Sequence, residues 1–127
     1  PAELAGLGRF IHEPDPALIR SGLIGAFAKA NSLTAVASDI AYLSSGEYQA
    51  SRWLRSFEVA ESLPIDKKVL RKRLAELGIG KLEIKKRGID LDPAQLRKEL
   101  KLNGEDAATL ILTRVGDARR ALVCNEC

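Results

Sequence analysis

From Arg52 to Cys124 the local pattern of the chain passes through six elements, and their order restricts the fold more than any single motif does. Residues 52–61, RWLRSFEVAE, have the aromatic and β-branched content of a strand, which Ser62-Leu63-Pro64 ends. Asp66 stands where a helix cap belongs, and Val69, Leu70, Leu74 and Leu77 form one apolar stripe. A helix is therefore predicted over 67–77, stopped by Gly78. In 81–87, Leu82 and Ile84 alternate with Glu83 and Lys85, the two-residue period of a strand. Asp92-Pro93-Ala94-Gln95 then offers a cap, a proline at the first helical position and a capping-box glutamine. That opens a helix over 93–101 with Leu96 and Leu100 inward, and Asn103-Gly104 turns the chain. Residues 108–115, ATLILTRV, read as a central strand, and Gly116-Asp117 as a hairpin turn into 119–124. Two helices of this length can cover only one face of a four-stranded sheet. The order predicts an α+β, two-layer sandwich, its sheet mixed or antiparallel and its helices on one face.

Upstream the signals are weaker. Phe10-Ile11-His12 suits a short strand, broken by Glu13-Pro14-Asp15-Pro16. Asp15 as cap and Pro16 at the first helical position introduce Leu18, Ile19, Leu23, Phe27 and Ala30 at helical spacing. This predicts one helix over 16–30, ending near Asn31, although Gly22 and Gly25 each weaken it by about 1 kcal/mol relative to alanine. Residues 34–51 read as loop-rich, with a short strand at 40–43 and a turn at Ser44-Ser45-Gly46. Trp53 and Phe57 share strand parity and are both expected in the core.

Composition, at 46% hydrophobic and 29% charged, is that of a folded domain. No apolar run approaches the roughly 18–20 residues of a membrane span, and no segment has the layout of a signal peptide. Gly6-Leu7-Gly8 has no strand before it and two prolines soon after, so it does not suit a cofactor-binding turn. Cys124-Asn125-Glu126-Cys127 supplies only two thiols, against the four ligands zinc takes, and His12 is distant in sequence. The pair reads as a chain end, and two cysteines fit a reducing, cytoplasmic setting. His12 has no evident catalytic partner, and Asp90 and Asp92 are spaced for a turn and a cap. No catalytic or metal-binding residue is expected.

Charge is concentrated. Residues 64–103 hold twelve Lys/Arg against six Asp/Glu, whereas 1–63 hold five against seven and 104–127 three against four. The candidates are Lys67, Lys68, Arg71 and Lys72 on one helix, Lys81, Lys85, Lys86 and Arg87 on the strand, and Arg97, Lys98 and Lys101 on the next helix. Positions i and i+4 share a helix face, which sets Lys67 beside Arg71 and Lys68 beside Lys72. By parity Lys86 falls on the face of Leu82 and Ile84. The strand is thus expected to outrun its helix cover and to set Lys85, Lys86 and Arg87 at the rim of the sheet, beside the helix start at Asp92. Such a pattern suits phosphate contacts with little base reading. It suits equally a solvated surface, or a docking surface for acidic groups. With aromatics at 5%, a folded or duplex nucleic acid read by shape is the better expectation than a stacked single strand.

Several segments resemble a known family. FIHEPDPALIRSGLI resembles the segment that follows the catalytic domain in a group of bacterial class I S-adenosylmethionine-dependent methyltransferases. LEIKKRGIDLDPAQLRKELKL, followed by AATLILTRV and ALVC, resembles the THUMP-like domain that ends those proteins. The resemblance runs from about Gly8 to the end. It implies a linker over 1–9, a small ferredoxin-like α/β segment over 10–50 and a THUMP-like α/β domain over 51–127. It implies a non-catalytic C-terminal domain, with S-adenosylmethionine held by the enzyme's N-terminal methyltransferase domain and no cofactor in this chain. By analogy with THUMP domains, it implies contact with structured RNA such as tRNA or rRNA through Lys67, Lys68, Arg71, Lys81, Lys85, Lys86, Arg87, Arg97 and Lys98. The alternative is a docking module that packs on the methyltransferase domain without touching RNA.

Overall fold

The computed structural model describes residues 6–127. Its elements run β1 (Phe10–Pro14), α1 (Pro16–Ser21), α2 (Ile24–Ala30), β2 (Thr34–Ala37), β3 (Ile40–Ser45), β4 (Leu54–Pro64), α3 (Lys67–Glu76), β5 (Ile79–Lys86), α4 (Pro93–Leu100), β6 (Asp106–Val115) and β7 (Ala118–Glu126). All seven strands join one sheet in the order β2-β3-β1-β4-β7-β6-β5. Only β5 and β6 pair in parallel. They can do so because α4 supplies the crossover that parallel neighbours require. The fold is α+β with a mixed sheet.

The aspartate caps behave as their positions imply. The Asp66 carboxylate accepts from Val69 N at 3.0 Å, and that of Asp92 from Ala94 N at 3.0 Å. So anchored, α3 and α4 lie on one face of β4-β7-β6-β5. Leu70, Leu74, Leu96 and Leu100 bury there against Leu110, Leu112, Ala121 and Val123. The opposite face is also covered. Ile11, Val36, Ile40 and Tyr42 from the first three strands pack on Phe57, Ile111, Leu122 and Cys124. The sheet curls until Gly116 N donates to Val36 O at 2.7 Å, bringing β2 back to the β6–β7 turn. Strands β6 and β7 are therefore buried on both faces, which is why their sequences run apolar without alternating. A third, small cluster of Ala28, Leu33 and Leu43 seats α2.

Two bulges set which core each strand residue enters. On β4 the register shifts between Val59 and Glu61. Phe57 and Val59 join the strand-covered core, but Leu63, of the same parity, joins the helix-covered one. One inserted residue inverts the faces of everything beyond it. On β5 the shift lies between Ile79 and Lys81, at Gly80. A Cβ on Gly80 would lie 1.7 Å from the Gly104 carbonyl oxygen, so the two backbones can meet only without a side chain there.

Three expectations are corrected. The single helix over 16–30 is two helices, because Gly22 adopts φ 73° and its N–H closes on Ile19 O. That left-handed residue ends α1, and a second axis starts at Ile24. The loop-rich stretch 34–51 contains a β-hairpin, β2–β3, whose short alanine-rich first strand gives little alternation to read. Trp53 is not a core residue. Strand β4 begins after it, so parity with Phe57 does not apply; Trp53 is 38% exposed and Phe57 is fully buried. Of the segment expected as a linker, residues 1–5 lie outside the described residues. Leu7 packs on the strand-covered core, and Gly8 N donates to Ser44 Oγ at 2.8 Å.

Candidate nucleic-acid interface

The structure divides the basic residues between two faces. On the helix layer, Lys67 and Arg71 turn toward α4. Lys67 Nζ pairs with Glu99 at 2.5 Å, and Arg71 donates to Glu99 O at 2.5 Å. The Lys67 ammonium and then the Gln95 amide hold the Glu99 carboxyl below the usual range. On the other flank of α3, Arg73 grips Glu61 of β4 with two bonds of 2.7 Å. Arg97 donates to Leu82 O at 3.2 Å, over the edge of β5. These cations fasten the two helices to each other and to the sheet. Lys68 and Lys72, one turn apart on α3, Lys98 on α4, and Lys101, the left-handed residue that caps α4, remain exposed, with no ion-pair partner among the described residues. Because α3 and α4 share one face of the sheet, Lys68, Lys72 and Lys98, each two residues from a buried leucine, lie on the outer side of that helix layer, and Lys101 follows at the end of α4. Lys86, also exposed, follows Leu82 and Ile84 on the helix side of β5, where parity placed it.

Lys81, Lys85 and Arg87 point to the opposite face. Lys81 is exposed there, beside Glu83 and Asn125. Lys85 is not at a solvated rim. Its ammonium pairs with Glu13 of β1 at 3.1 Å, and both side chains are largely covered. The Arg87 guanidinium lies 5.6 Å over the Tyr42 ring. Around them Arg55 bridges Glu83 at 3.0 Å and Glu126 at 2.7 Å, and Arg114 bridges Asp39 at 2.7 Å. This ionic seam joins the first strands to the last ones across the curl of the sheet. It also holds Glu126 and Asp39 below the usual carboxylate range, through their hydrogen bonds to Arg55 and Arg114. The run Lys85-Lys86-Arg87 thus sends its outer members into the fold and its middle member to solvent.

His12 is fully buried between two serines, with Nδ1 2.8 Å from Ser56 Oγ and Nε2 2.8 Å from Ser45 Oγ. Ser45 Oγ donates its own proton to Glu47 O, so it must accept from Nε2–H, and Ser56 donates to Nδ1. The ring is the neutral Nε2–H tautomer, and burial lowers its pKa. Cys124 is buried, its thiol pushed up to about 12 by desolvation, while Cys127 is exposed. Among the described residues no three His, Cys, Asp or Glu side chains gather as metal ligands. No helix among them is long and apolar enough to cross a membrane.

One cluster went unread in the sequence. Tyr48 and Trp53 are exposed and line a cleft with Arg52, whose guanidinium lies 4.9 Å over the Trp53 ring. The adjacency of Arg52 and Trp53 was the available signal, hidden by assigning both to a strand.

A family model described as THUMP domain-like matches residues 54–126, from β4 to the end of β7. Two proteins named as uncharacterized S-adenosylmethionine-dependent methyltransferases, from Mycobacterium tuberculosis strains CDC 1551 and H37Rv, are each 38% identical over 109 residues. The match takes in 86% of this chain and 30% of theirs, so the chain spans about a third of the length of these relatives. A crystal structure from Porphyromonas gingivalis W83, whose protein carries a provisional methyltransferase name, superposes with a TM-score of 0.77 over 98% of this chain and 30% of its own, at 22% identity. That likeness extends the shared fold beyond β4 to the first strands and helices. The chain belongs to the THUMP domain-like family, in the form that accompanies proteins named as S-adenosylmethionine-dependent methyltransferases.

Proposed function

We propose that this chain is the non-catalytic, RNA-contacting part of a cytoplasmic S-adenosylmethionine-dependent methyltransferase. It grips structured RNA by its phosphates, while a catalytic domain elsewhere in the protein binds the cofactor and carries out methyl transfer. The observation that supports this reading is the solvent surface of the helix layer. Lys68, Lys72, Lys98 and Lys101 are presented there together without acidic partners among the described residues, and Lys86 adds a fifth charge on the same side. Lysines on exposed helix faces suit ionic contact with a phosphate backbone and carry no base code. The test is binding of an RNA hairpin across a salt series. About four neutralised phosphates give a slope of roughly −3 to −4 in log K against log salt. Reversal of Lys68, Lys72, Lys98 and Lys101 to glutamate should abolish binding and leave the urea midpoint in place. A hairpin affinity that ignores these four reversals would refute the reading.

A docking role is favoured by a different observation. Leu23 is 59% exposed beside a groove lined by Ile19, Ile24, Ala35, Ile40 and Leu43. A module that packed there on the methyltransferase domain would show no RNA affinity, and Leu23→Asp would release it from that domain.

A further inference from the structure

We infer that the cleft between Tyr48, Arg52 and Trp53 holds one unpaired nucleotide, its base stacked on the exposed aromatic surface and its phosphate met by Arg52. This rests on the reading that the chain contacts RNA, and adds a single-stranded subsite to the phosphate-gripping helix face. The cleft has a volume of about 460 Å³, in the range of small-ligand sites. Its lining holds the chain's one tryptophan and one of its two tyrosines. Tyr48 is 52% exposed and Trp53 38%, so each ring keeps apolar surface in water that burial would normally stabilise.

The charges narrow the ligand. Each acid in the lining is already engaged. Glu13 pairs with Lys85, Glu126 is held by Arg55, and the Asp15 carboxylate accepts from Ala17 N at 2.8 Å. Of the two lining cations, Arg55 is paired and Arg52 has no ionic partner among the described residues; Arg52 lies over the Trp53 ring. What the cleft offers a visitor is therefore partly exposed aromatic surface with a guanidinium that no acid neutralises, stacked over one ring. Stacking plus one cation is how sequence-tolerant single-strand sites hold a nucleotide.

Trp53, being unique in the chain, makes the cleft observable by its own fluorescence. Three RNA probes are compared: a six-residue oligoadenylate, a blunt duplex, and that duplex with a three-nucleotide overhang. The hexamer should quench Trp53, and the overhang should bind more tightly than the blunt duplex. By anisotropy of labelled RNA, Trp53→Leu and Arg52→Ala should each cost the overhang duplex about tenfold in affinity. The blunt duplex should change by less than about twofold. Tyr48→Ser, at a half-exposed position, gives the same readout if either cleft variant folds poorly by circular dichroism. Equal losses on the blunt and overhang duplexes, or no quenching by a hexamer under conditions where the blunt duplex binds, would overturn the subsite and leave the helix-face reading standing. Binding of neither RNA would overturn both. A Trp53 change with the methyltransferase domain but with no RNA would make the cleft a docking site, against the inference.

Discussion

Lys85 lies in the densest cationic run of the sequence, yet its geometry makes it a stability residue. At 3.1 Å from Glu13 and an effective dielectric constant of about 20, the gross attraction is about 5 kcal/mol. Side-chain exposures of 17% and 21% mean that part of this offsets desolvation of the two groups. Removing one partner is worse than the net value of the pair, because the other charge stays covered and unpaired. Lys85→Met should therefore cost about 2–4 kcal/mol, and Lys85→Glu more. The double variant Glu13→Gln/Lys85→Met should recover at least about 1 kcal/mol relative to the sum of the single changes. Urea titration read by Trp53 fluorescence and by circular dichroism measures each corner. With a slope of about 1–3 kcal/mol/M, a loss of 3 kcal/mol moves the midpoint by about 1–3 M. A Lys85→Met midpoint equal to that of the parent chain, or single changes that simply add, would show the pair to be effectively solvated and refute the reasoning. RNA-binding tests should consequently avoid Lys85, whose reversal reports on folding, and use the exposed helix lysines.

Gly80→Ala should prevent native folding, since its Cβ would sit 1.7 Å from a backbone oxygen, while Gly46→Ala, with nothing within 4 Å, should not; thermal melts of the two compare them. His12 predicts a pH dependence. Its folded pKa is lowered, so the unfolded chain takes up the proton first, and stability is full above about pH 7 and declines as pH falls through about 6.5. Urea midpoints between pH 7.5 and 5.5 should fall in the parent chain and flatten in His12→Gln. Glu61, Glu99 and Glu126, held low chiefly by hydrogen bonds to Arg73, Lys67 and Arg55, lose their contribution only at more acid pH, as they protonate. A thiol reagent should modify Cys127 in the native chain and Cys124 only on unfolding, because Cys124 is both covered and held as the thiol. Two fast-reacting thiols would show that β7 is not closed over its core.

What local chemistry can specify was already present in the sequence. Asp66 and Asp92 started their helices, the Leu70/Leu74 and Leu96/Leu100 stripes identified the buried sides, and Gly116-Asp117 turned the β6–β7 hairpin, because each depends on residues within one turn of chain. The parity of Leu82, Ile84 and Lys86 was likewise legible, and so was the concentration of charge in 64–103. Tertiary structure decided the rest. Bulges at β4 and β5 inverted faces that a strict two-residue period would keep, and the curl of the sheet closed its second face with strands that carry little alternation of their own. Strand β4 started one residue after Trp53, which put that ring at the surface rather than in the core. The same folding sorted the cations. Glu13 reached Lys85, and Glu99 reached Lys67 and Arg71, from elements distant in the chain, whereas Lys68, Lys72, Lys98 and Lys101 met no acid at all among the described residues. A charge count records how many cations a segment holds. Only the packing of that segment determines which of them are neutralised inside the fold and which remain available to a polyanion.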